Sequence, residues 1–404
     1  MQGIPLSRFQ HSAQQLKQAG SDELCAYIYD LAALQQHAQR LKHDLPQNWQ
    51  MFYAVKANAE LPILDTLAPE LDGFEVASGG ELSLIREHHP DTPVIFGGPG
   101  KTDAELQLAL DSDVELLHVE SLYELQRLSY LAEQQQQTVS VLLRLNVALD
   151  SLPSTTLTMG GKPTPFGIEL SALDDCMALL AGQSRLQLKG FHFHLVSHQL
   201  VAEQHLALLA DYFRLVRQLE ADYQLQVEHI NVGGGIGINY RQPGQQFDWA
   251  VFAQGLHRLN EELDLHHWQI RFECGRYLTA FCGCYVMEVM DIKHNLGETF
   301  VVARGGTHHF RTPAAQSHSH PCLIEAVEDW DRPWGRPAVD NCDVNVVGQL
   351  CTPKDRLVTG WKVEQLRAGD LLLFPYAGAY GWNISHQNFL RHPAPKVVYL
   401  PAER

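Results

Sequence analysis

The stretch Met51-Phe52-Tyr53-Ala54-Val55-Lys56-Ala57-Asn58 decides the fold of this chain. Its aromatic and β-branched residues predict a short buried strand, and Asn58 is typical of the turn that follows. Lys56 is therefore expected at the carboxyl end of the strand, where apolar neighbours disfavour its charged form. Such desolvation suits a lysine that reacts as an amine. A lysine that ends a strand and extends its ammonium group into water is the alternative.

Apolar segments of the same kind recur along the chain. After a predicted strand at 26–30 and an amphipathic helix at 31–43, the predicted strands are 51–57, 73–78, 93–98, 114–120, 138–147, 188–195, 229–234 and 269–274. The predicted helices between them are 60–70, 80–88, 103–111, 121–136, 171–182, 200–222 and 248–263. Strands that are apolar throughout and alternate with helices predict an α/β fold with parallel strands buried on both faces.

A (β/α)8 TIM barrel is the economical form of such a fold, and a doubly wound open sheet is the alternative. The barrel is favoured because polar and glycine-rich residues follow the carboxyl ends of many different strands.

A second domain is predicted after about residue 280, where short strands joined by turns replace the alternating pattern. These predicted strands are 285–292, 299–303, 344–347, 370–374 and 396–400. We therefore predict a barrel over 26–280 and a C-terminal β-sandwich or β-barrel-like domain over 281–404 that also includes 1–30. Residues 148–166 form a loop rich in Ser, Thr, Pro and Gly, and loops of this length are usually functional or mobile.

Composition limits the partners of the protein. Its 404 residues include 30 Lys+Arg against 47 Asp+Glu, a net charge of −17 that disfavours nucleic acid or an anionic membrane as a partner. No apolar run approaches the roughly 20 residues of a membrane span, and residues 2–11 lack the apolar core of a signal peptide. The 8 cysteines are scattered without a C-x-x-C pair, which indicates a reduced cytoplasmic protein.

Barrel enzymes carry their chemistry at the carboxyl ends of the strands. Those ends here offer Lys56, Ser78, Arg144, His194, Ser197, Gly233, Gly234, Gly235, Glu273, Gly275 and Arg276. The three glycines follow the seventh strand, where barrels usually bind phosphate, and they let backbone N–H groups approach an anion. A plain tight turn is the alternative. Arg276 follows the eighth strand and is placed to add a charge-assisted contact.

A lysine, a phosphate site and a carboxylate together indicate a pyridoxal phosphate (PLP) site. In this interpretation Glu273 holds a proton on the heteroaromatic nitrogen and His194 stacks on the ring. The alternative for Glu273 is a simple ion pair with Arg276. For His194, which Phe193 and Leu195 flank, the alternative is a place in the core.

Short motifs stand in a specific order along nearly the whole chain. They are Tyr53–Asn58, Val76–Leu82, Phe166–Ile168, Phe191–Ser197, Gly233–Gly235, Glu273–Arg276, Gly305–Gly306, Cys351–Asp355 and Gly378–Gly381. With these motifs the sequence resembles the fold-type III, alanine-racemase-like PLP decarboxylases, which include the diaminopimelate and ornithine decarboxylases. No single motif is decisive, and the specificity lies in their number and order.

The resemblance implies PLP as the cofactor and assigns roles by position. Lys56 would bind the PLP aldehyde as a Schiff base, His194 would stack on the pyridine, and Glu273 would keep its nitrogen protonated. The residues implied at the phosphate are Ser197, Gly233, Gly234, Gly235, Arg276 and Tyr380. The other residues expected at the cofactor are Ser78, Arg144 and Gly275.

The resemblance also implies an obligate homodimer, because Cys351, Thr352 and Asp355 would reach the active site of the partner subunit. Cys351 would be the acid that reprotonates the substrate carbon. Since an unperturbed thiol has a pKa of about 8.5, it is mostly protonated near neutrality and can donate. A buried structural cysteine is the alternative.

Four positions depart from the usual decarboxylase pattern. The family commonly has lysine, glycine, proline and an acidic residue where this chain has Pro165, Val196, Cys274 and Thr352. In ornithine- and diaminopimelate-type enzymes the acidic residue recognises the distal ammonium of the substrate. Because Thr352 cannot supply a countercharge, we expect a substrate that lacks a cation there.

Two further blocks also indicate a substrate without a distal cation. They are Gly305–Ala315 with His318–Pro321, and Asn388–Pro393. They resemble the siderophore-pathway branch, which decarboxylates citryl-amino-acid conjugates such as citryl-2,3-diaminopropionate (staphyloferrin B type) or citryl-serine (vibrioferrin type). A carboxylate-rich substrate would suit His308, His309, Arg311 and Arg144. Alternatively, these histidines cap loops or bind a metal, but His-x-His spacing is weak metal evidence and no metal is expected.

The sequence thus predicts a carboxy-lyase acting on the amino-acid part of a carboxylate-rich conjugate. A decarboxylase of diaminopimelate or of a basic amino acid of the ornithine or lysine type is the alternative, and Thr352 is evidence against it. A racemase would need a second acid–base group, commonly tyrosine, whereas this chain carries the Cys351 motif. A non-enzymatic PLP carrier is disfavoured by the complete β-domain.

Overall fold

The computed structural model describes residues 3–20, 22–149, 151–152 and 157–401. The chain divides into two compact units. The first, called the barrel unit, comprises His37–Gly237 and Phe247–Tyr277, and the second, called the β unit, comprises Met1–Gln36, Ile238–Gln246 and Leu278–Arg404. The predicted domain boundaries remain predictions. Part of the predicted functional loop, at 150 and 153–156, lies outside the described residues.

The strands, numbered in chain order, are β1 (Cys25–Asp30), β2 (Trp49–Ala54), β3 (Gly73–Val76), β4 (Val94–Phe96), β5 (Leu116–Val119), β6 (Val139–Asn146), β7 (Leu157–Thr158), β8 (Ile168–Glu169), β9 (Leu186–His192), β10 (Val196–Ser197), β11 (His229–Asn231), β12 (Gln269–Cys274), β13 (Gly283–Asn295), β14 (Glu298–Ala303), β15 (Leu323–Glu325), β16 (Ala338–Val347), β17 (Arg356–Arg367), β18 (Leu371–Pro375) and β19 (Lys396–Leu400).

The helices are α1 (Leu6–Ala19), α2 (Leu31–His43), α3 (Leu61–Leu67), α4 (Gly79–His88), α5 (Asp103–Asp111), α6 (Leu122–Gln135), α7 (Leu173–Ala181), α8 (Ala202–Tyr223), α9 (Trp249–Glu262), α10 (Arg276–Thr279) and α11 (Thr312–Ala315). Short 3₁₀ helices lie at Val55–Ala57, Leu170–Ala172, Ala280–Cys282, Trp382–Ile384 and Phe389–Arg391. None of the described helices is both long enough and apolar enough to cross a membrane.

Parallel strands of the barrel unit close into a ring. In order around the ring they are β2, β3, β4, β5, β6, β9, β11 and β12. The ring closes because β12 pairs with β2, placing Phe272 opposite Met51, and β5 pairs with β6, placing Leu117 opposite Val141. These strands are almost entirely buried, as strands covered by helices must be. The structure therefore confirms the TIM barrel and excludes the open sheet, which would leave two strand edges unpaired.

Seven of the eight barrel strands end earlier than the sequence predicts, whereas β12 ends at the predicted Cys274. The early ends move several of the polar residues off the strands and into the loops that follow. The predicted strand 51–57 ends at Ala54, so Lys56 lies in the 3₁₀ helix Val55–Ala57 and not on the strand. In the same way, β11 ends at Asn231 and Gly233 follows it in a loop. Apolar residues continue past the last ladder bond because the ends of the strands are still buried.

The β unit confirms the predicted β-domain and includes the N-terminal strand. Its long strand β13 pairs antiparallel with β1, β14 and β18, and β1 pairs in parallel with β19. Helix α1, which was not predicted, buries Phe9 and Ala13 and packs Leu16 against the same core. Strand β17 was also not predicted, because Gly360, at φ +58°, and outward polar residues interrupt its apolar alternation.

Candidate active site

Lys56, just after β2, forms an ion pair with Glu75, which lies on the adjacent strand β3. Strands β2 and β3 pair with Ala54 opposite Glu75, and Lys56 Nζ lies 2.8 Å from Glu75 Oε2. Burial raises the pKa of Glu75, Lys56 opposes this rise, and Glu273 adds to it. The Lys56 side chain is 40% exposed, whereas that of Glu75 is buried. The amine is therefore anchored by one carboxylate and still accessible.

Glu273, at the end of β12, is surrounded by neutral polar groups. Asn231 donates an amide N–H to Glu273 Oε1 at 2.8 Å. His118 Nδ1 lies 3.3 Å from the same oxygen, and His192 Nε2 lies 3.5 Å from Oε2. Burial lowers the pKa of His118 and of His192 well below the usual value. Both imidazoles are therefore neutral, and the carboxylate is held in place without a nearby imidazolium.

Several imidazole nitrogens beside Glu273 lack a hydrogen-bond partner among the described residues. They are Nδ1 of His118 and both ring nitrogens of His192. A buried polar atom without a partner costs free energy, so such a cluster is expected where a polar group binds.

The ligand atoms of His118, His192 and Glu273 also lie within 4.8 Å of one another, as they would around a metal ion. The Asn231 N–H already donates to Glu273 Oε1, however, and an N–H is not a metal ligand. The donor set therefore suits an organic nitrogen base better than a metal.

His194, the three glycines and Glu273 pack closely together at the carboxyl ends of β9, β11 and β12. The Gly234 N–H donates to His194 Nδ1 at 3.2 Å. A Cβ at Gly233, where φ is +71°, would lie 2.4 Å from His194 Nδ1, and one at Gly234 would lie 2.2 Å from the Glu273 carbonyl oxygen. Only glycine permits this approach, so the run serves packing whether or not it binds phosphate. Burial, with Arg144 and Lys56, lowers the pKa of His194 well below the usual value, which leaves its ring neutral.

Arg144 on β6 is fixed by a buried ion pair. Its Nη1 lies 2.7 Å from Glu120 Oε1, and its guanidinium lies 4.7 Å from the centroid of the Phe166 ring. Glu120 also accepts the backbone N–H groups of Gly98 at 3.0 Å and Gly167 at 3.1 Å. Arg144 therefore keeps a defined position in the barrel unit, whether or not it contacts PLP.

The remaining predicted cofactor residues of the barrel unit follow strand ends. Ser78 caps α4, since its hydroxyl oxygen accepts the Glu81 N–H at 3.2 Å. Ser197 lies on β10, which pairs with β7. Gly275 is buried and Arg276 is half-buried at the junction of β12 and α10. Their roles at the cofactor remain predictions.

In the β unit, Cys351 lies on an exposed turn that Asp355 holds in place. The buried Asp355 carboxylate accepts N–H groups from Thr307 at 2.6 Å and from Leu350 at 2.9 Å. Thr352 accepts the Lys354 N–H at 3.3 Å through its hydroxyl oxygen. The Asp355 carboxylate thus holds the backbone of the Cys351 turn in place. The sequence did not indicate this structural role of Asp355.

His309 and His308 are both fully buried in the β unit. His309 Nδ1 lies 3.2 Å from the Tyr285 hydroxyl, its Nε2 donates to the Pro393 carbonyl at 3.1 Å, and burial lowers its pKa to about 3. Burial also lowers the pKa of His308 to about 4. These two histidines are therefore neutral and lie in the interior of the β unit. Their predicted contacts with a carboxylate-rich substrate stay predictions.

The other two predicted residues of the β unit lie at its turns. Arg311 is exposed, and its backbone N–H donates to Ser385 Oγ at 3.0 Å. Tyr380 has a left-handed φ of +51°, and its carbonyl oxygen accepts the Thr312 hydroxyl. Their proposed contacts with substrate and phosphate stay predictions.

Residues 31–280 match the family described as pyridoxal-dependent decarboxylase, pyridoxal binding domain. The chain is 42% identical over 387 residues to 2-[(L-alanin-3-ylcarbamoyl)methyl]-2-hydroxybutanedioate decarboxylase of Staphylococcus aureus, with 96% of each chain covered. This chain belongs to the pyridoxal-dependent decarboxylases.

The chain is also similar to diaminopimelate decarboxylases in sequence and in fold. It is 30% identical to diaminopimelate decarboxylase of Campylobacter jejuni, over 93% of this chain and 90% of that one. The crystal structure of diaminopimelate decarboxylase from Helicobacter pylori complexed with L-lysine has a TM-score of 0.83 at 24% identity, covering 97% of this chain and 94% of that one.

PLP is the cofactor of this decarboxylase, and the described residues of the barrel unit fit it. An accessible amine at Lys56, a buried carboxylate at Glu273 and a neutral ring at His194 match its aldehyde, its ring nitrogen and its π-face. The unpartnered nitrogens of His118 and His192 beside Glu273 are consistent with an additional polar group there.

Several polar residues of this decarboxylase site were not identified from the sequence. They are Glu75, His118, Glu120, His192 and Asn231. Each is a polar residue within or directly after an apolar strand, and this pattern is visible in the sequence as a sign of a functional residue. Their partners lie on neighbouring strands, so only the register of the barrel shows which residues meet.

Proposed function

We propose that this decarboxylase removes the α-carboxylate of an amino-acid unit joined to citrate, in a citryl-diaminopropionate or citryl-serine type of siderophore precursor. The observation that carries the proposal is the similarity, over 96% of both chains, to the Staphylococcus aureus enzyme. The name of that enzyme describes alanine joined through its C3 to a carbamoylmethyl group on hydroxybutanedioate, so two carboxylates lie remote from the reacting centre. Thr352 supports the proposal, because it offers no countercharge for a distal ammonium.

Bound PLP supplies an electron sink for the pair left by the departing carboxylate. In the proposal, the Lys56 amine holds the cofactor covalently, and Glu75 orients that amine. Glu273 keeps a proton on the ring nitrogen, a task suited to a carboxylate fixed by the Asn231 amide. The neutral ring of His194 packs against the cofactor without adding charge.

The proton that replaces carbon dioxide comes, in the proposal, from the Cys351 thiol. Cys351 is exposed on its turn and is one of the free cysteines of the chain. An exposed donor needs a second surface to exclude water, and we propose that a second copy of the chain supplies that surface in a cytoplasmic homodimer. Mixing two inactive variants, Lys56→Ala and Cys351→Ala, should restore part of the activity, since mixed dimers contain one intact site. No recovery after subunit exchange would contradict shared sites.

Steady-state assays of carbon dioxide release test the substrate. We expect the holoenzyme to turn over the citryl amide of L-2,3-diaminopropionate, or citryl-serine, with a kcat/KM far above its value for meso-diaminopimelate, ornithine or lysine. Rapid release from any of those three, with none from the citryl conjugates, would reject the proposal in favour of a basic-amino-acid decarboxylase. Deuterium exchange at Cα without carbon dioxide release would indicate a racemase.

A further inference from the structure

Arg304 carries a positive charge without an acidic partner in the β unit. It directly follows β14 and is half-buried. Its Nη1 donates to the Gln349 side-chain oxygen, and within the described residues no carboxylate lies within ion-pairing distance of its guanidinium. In contrast, Arg336 and Arg367 of the same unit are paired with Asp370, at 3.1 and 3.2 Å. A partly buried guanidinium without a countercharge is costly, which suggests that an anion completes it.

Two histidines adjoin Arg304 through Gln349. The Gln349 Nε2 lies 3.0 Å from His392 Nδ1, and the ring of the half-buried His392 lies 5.1 Å from that of His308. Both ring nitrogens of the buried His308 lack a hydrogen-bond partner among the described residues. The Gln349 side chain therefore links a guanidinium and an imidazole, and an unsatisfied polar ring lies behind them.

Two acids near Arg304 are already satisfied by other groups. Glu288, whose carbonyl oxygen accepts the Arg304 N–H at 2.8 Å, forms an ion pair with Lys17 at 2.6 Å. Asp355 accepts the N–H groups of Thr307 and Leu350, as described above. The donors of the cluster formed by Arg304, His308, Gln349 and His392 are therefore not used by a nearby carboxylate, although the chain as a whole has a net charge of −17. Such a local excess of donors in an acidic protein favours recognition of a specific anion over general attraction.

The same cluster adjoins the turn that carries the proposed proton donor. Gln349 lies two residues before Cys351, its backbone N–H donates to the Gly305 carbonyl at 2.9 Å, and its side-chain oxygen accepts the Gly305 N–H at 2.8 Å. A group bound at Arg304 is thus positioned relative to Cys351 by the short, hydrogen-bonded Gln349 segment.

We propose that Arg304, His392 and Gln349 form a subsite that binds the carboxylates of the acyl half of the substrate, with His308 as the polar layer behind it. This inference rests on the proposed function and deepens it, since it assigns recognition of the acyl group to residues of the β unit. Guanidinium groups bind carboxylates with paired N–H donors, and imidazole and amide N–H groups complete the set. The subsite would therefore distinguish a citryl amide from a neutral acyl amide.

The test compares two substrates that differ only in the acyl group: the citryl and the acetyl amides of L-2,3-diaminopropionate. For Arg304→Gln we expect kcat/KM for the citryl amide to fall about 10- to 100-fold, the effect of one lost charge-assisted contact. The value for the acetyl amide should stay unchanged. Arg304→Lys should fall in between, because lysine keeps the charge but not the paired donors.

A matched control removes another arginine of the β unit. Arg332 is exposed and forms an ion pair of 3.7 Å with Glu23, so Arg332→Gln should leave both substrates unaffected. An equal loss for both substrates in Arg304→Gln would show that Arg304 merely supports the Cys351 turn, and it would overturn the subsite. Unchanged kinetics with both substrates would overturn it as well.

Calorimetric titration of the holoenzyme with citrate separates this inference from the proposed function. We expect citrate to bind the wild-type protein and to bind Arg304→Gln at least about tenfold more weakly. If the wild-type protein fails to decarboxylate the citryl amide, the proposed function fails, but citrate binding still reports on the subsite. Equal citrate affinity in both proteins would overturn the subsite whatever the turnover.

Discussion

The cluster around Lys56 and Arg144 in the barrel unit and the cluster around Arg304 in the β unit treat their cations in opposite ways. In the barrel unit cations meet carboxylates at the carboxyl ends of neighbouring strands, as in the 2.8 Å Lys56–Glu75 and 2.7 Å Arg144–Glu120 pairs. In the β unit the buried Asp355 is satisfied by backbone N–H groups, and Arg304 is bonded to a neutral amide. Lys56 and Arg144 are therefore balanced by carboxylates of their own unit, whereas Arg304 has no countercharge within ion-pairing distance among the described residues.

In our proposal, this difference separates two tasks of the decarboxylase, which are holding the cofactor and selecting the substrate. A site that keeps one cofactor in one position benefits from charges that are fixed before binding, because fixed dipoles need no reorganisation during reaction. A site that selects a substrate by charge must instead leave a charge unpaired until the substrate arrives. The comparison predicts that substitutions in the barrel unit impair all substrates alike, and that those at Arg304 impair one class.

Replacing Lys56 should give the largest effect. In Lys56→Ala we expect activity toward every substrate to fall about a thousandfold or more, as when one member of a cooperating catalytic group is removed. After borohydride reduction, mass spectrometry should detect covalently attached cofactor in the wild-type protein but not in the variant. The control is Lys189→Ala, which removes a surface lysine paired with Glu228 at 2.8 Å. Covalent cofactor retained in Lys56→Ala would mean that another lysine binds it.

Glu273→Gln tests the carboxylate of the barrel cluster. The amide oxygen can still accept the Asn231 N–H, but it cannot hold a proton on the ring nitrogen. We expect kcat to fall about 10²- to 10⁴-fold for all substrates while the cofactor stays bound. Rapid-quench assays and the pH dependence of the bound cofactor's absorbance provide the measurement, with Glu228→Gln as the surface control. An unchanged kcat would remove Glu273 from the chemistry.

Much of the fold could be predicted from hydrophobic period alone. Helix α5 begins and ends at the predicted residues 103 and 111, because Thr102 and Glu105 form a capping box at its start. Strand ends were less predictable, since residues such as Val55 stay buried after the ladder has ended. Helix α1 was not predicted, although Phe9 and Ala13 show helical spacing.

The candidate site was predictable where function depends on position along the chain. Lys56 and Glu273 could be proposed because each lies at the carboxyl end of a barrel strand. The partners of these residues could not, because Glu75 meets Lys56 through the register of β2 and β3. Arg304 could not be identified for the same reason: an arginine after a strand is ordinary, and only the structure shows that no carboxylate of the described residues lies within ion-pairing distance of its guanidinium.

Buried histidines extend the comparison to stability. In the barrel unit His205 is 1% exposed, its ring nitrogens lack hydrogen-bond partners among the described residues, and burial lowers its pKa to about 4. In the β unit His309 is bonded through both ring nitrogens, and burial lowers its pKa to about 3. The unfolded chain, in which histidine has a pKa of about 6.5, binds more protons in the acid range. Each histidine therefore contributes stability that is fully present above about pH 6.5 and lost as the pH falls toward the folded value.

His205→Leu and His309→Leu should consequently differ in stability at neutral pH, but their stabilities should depend on pH in the same way in the acid range. At pH 7 we expect His309→Leu to lose about 1–3 kcal/mol, because the Pro393 carbonyl is left unsatisfied, whereas His205→Leu should change little, since it removes an unpartnered polar ring. Between pH 6.5 and pH 5 both variants should lose less stability than the wild-type protein, by up to about 1.4 kcal/mol per pH unit. Denaturant unfolding at several pH values measures both effects. A loss of stability in His205→Leu as large as that in His309→Leu would mean that the two units do not differ in how they satisfy buried polar groups.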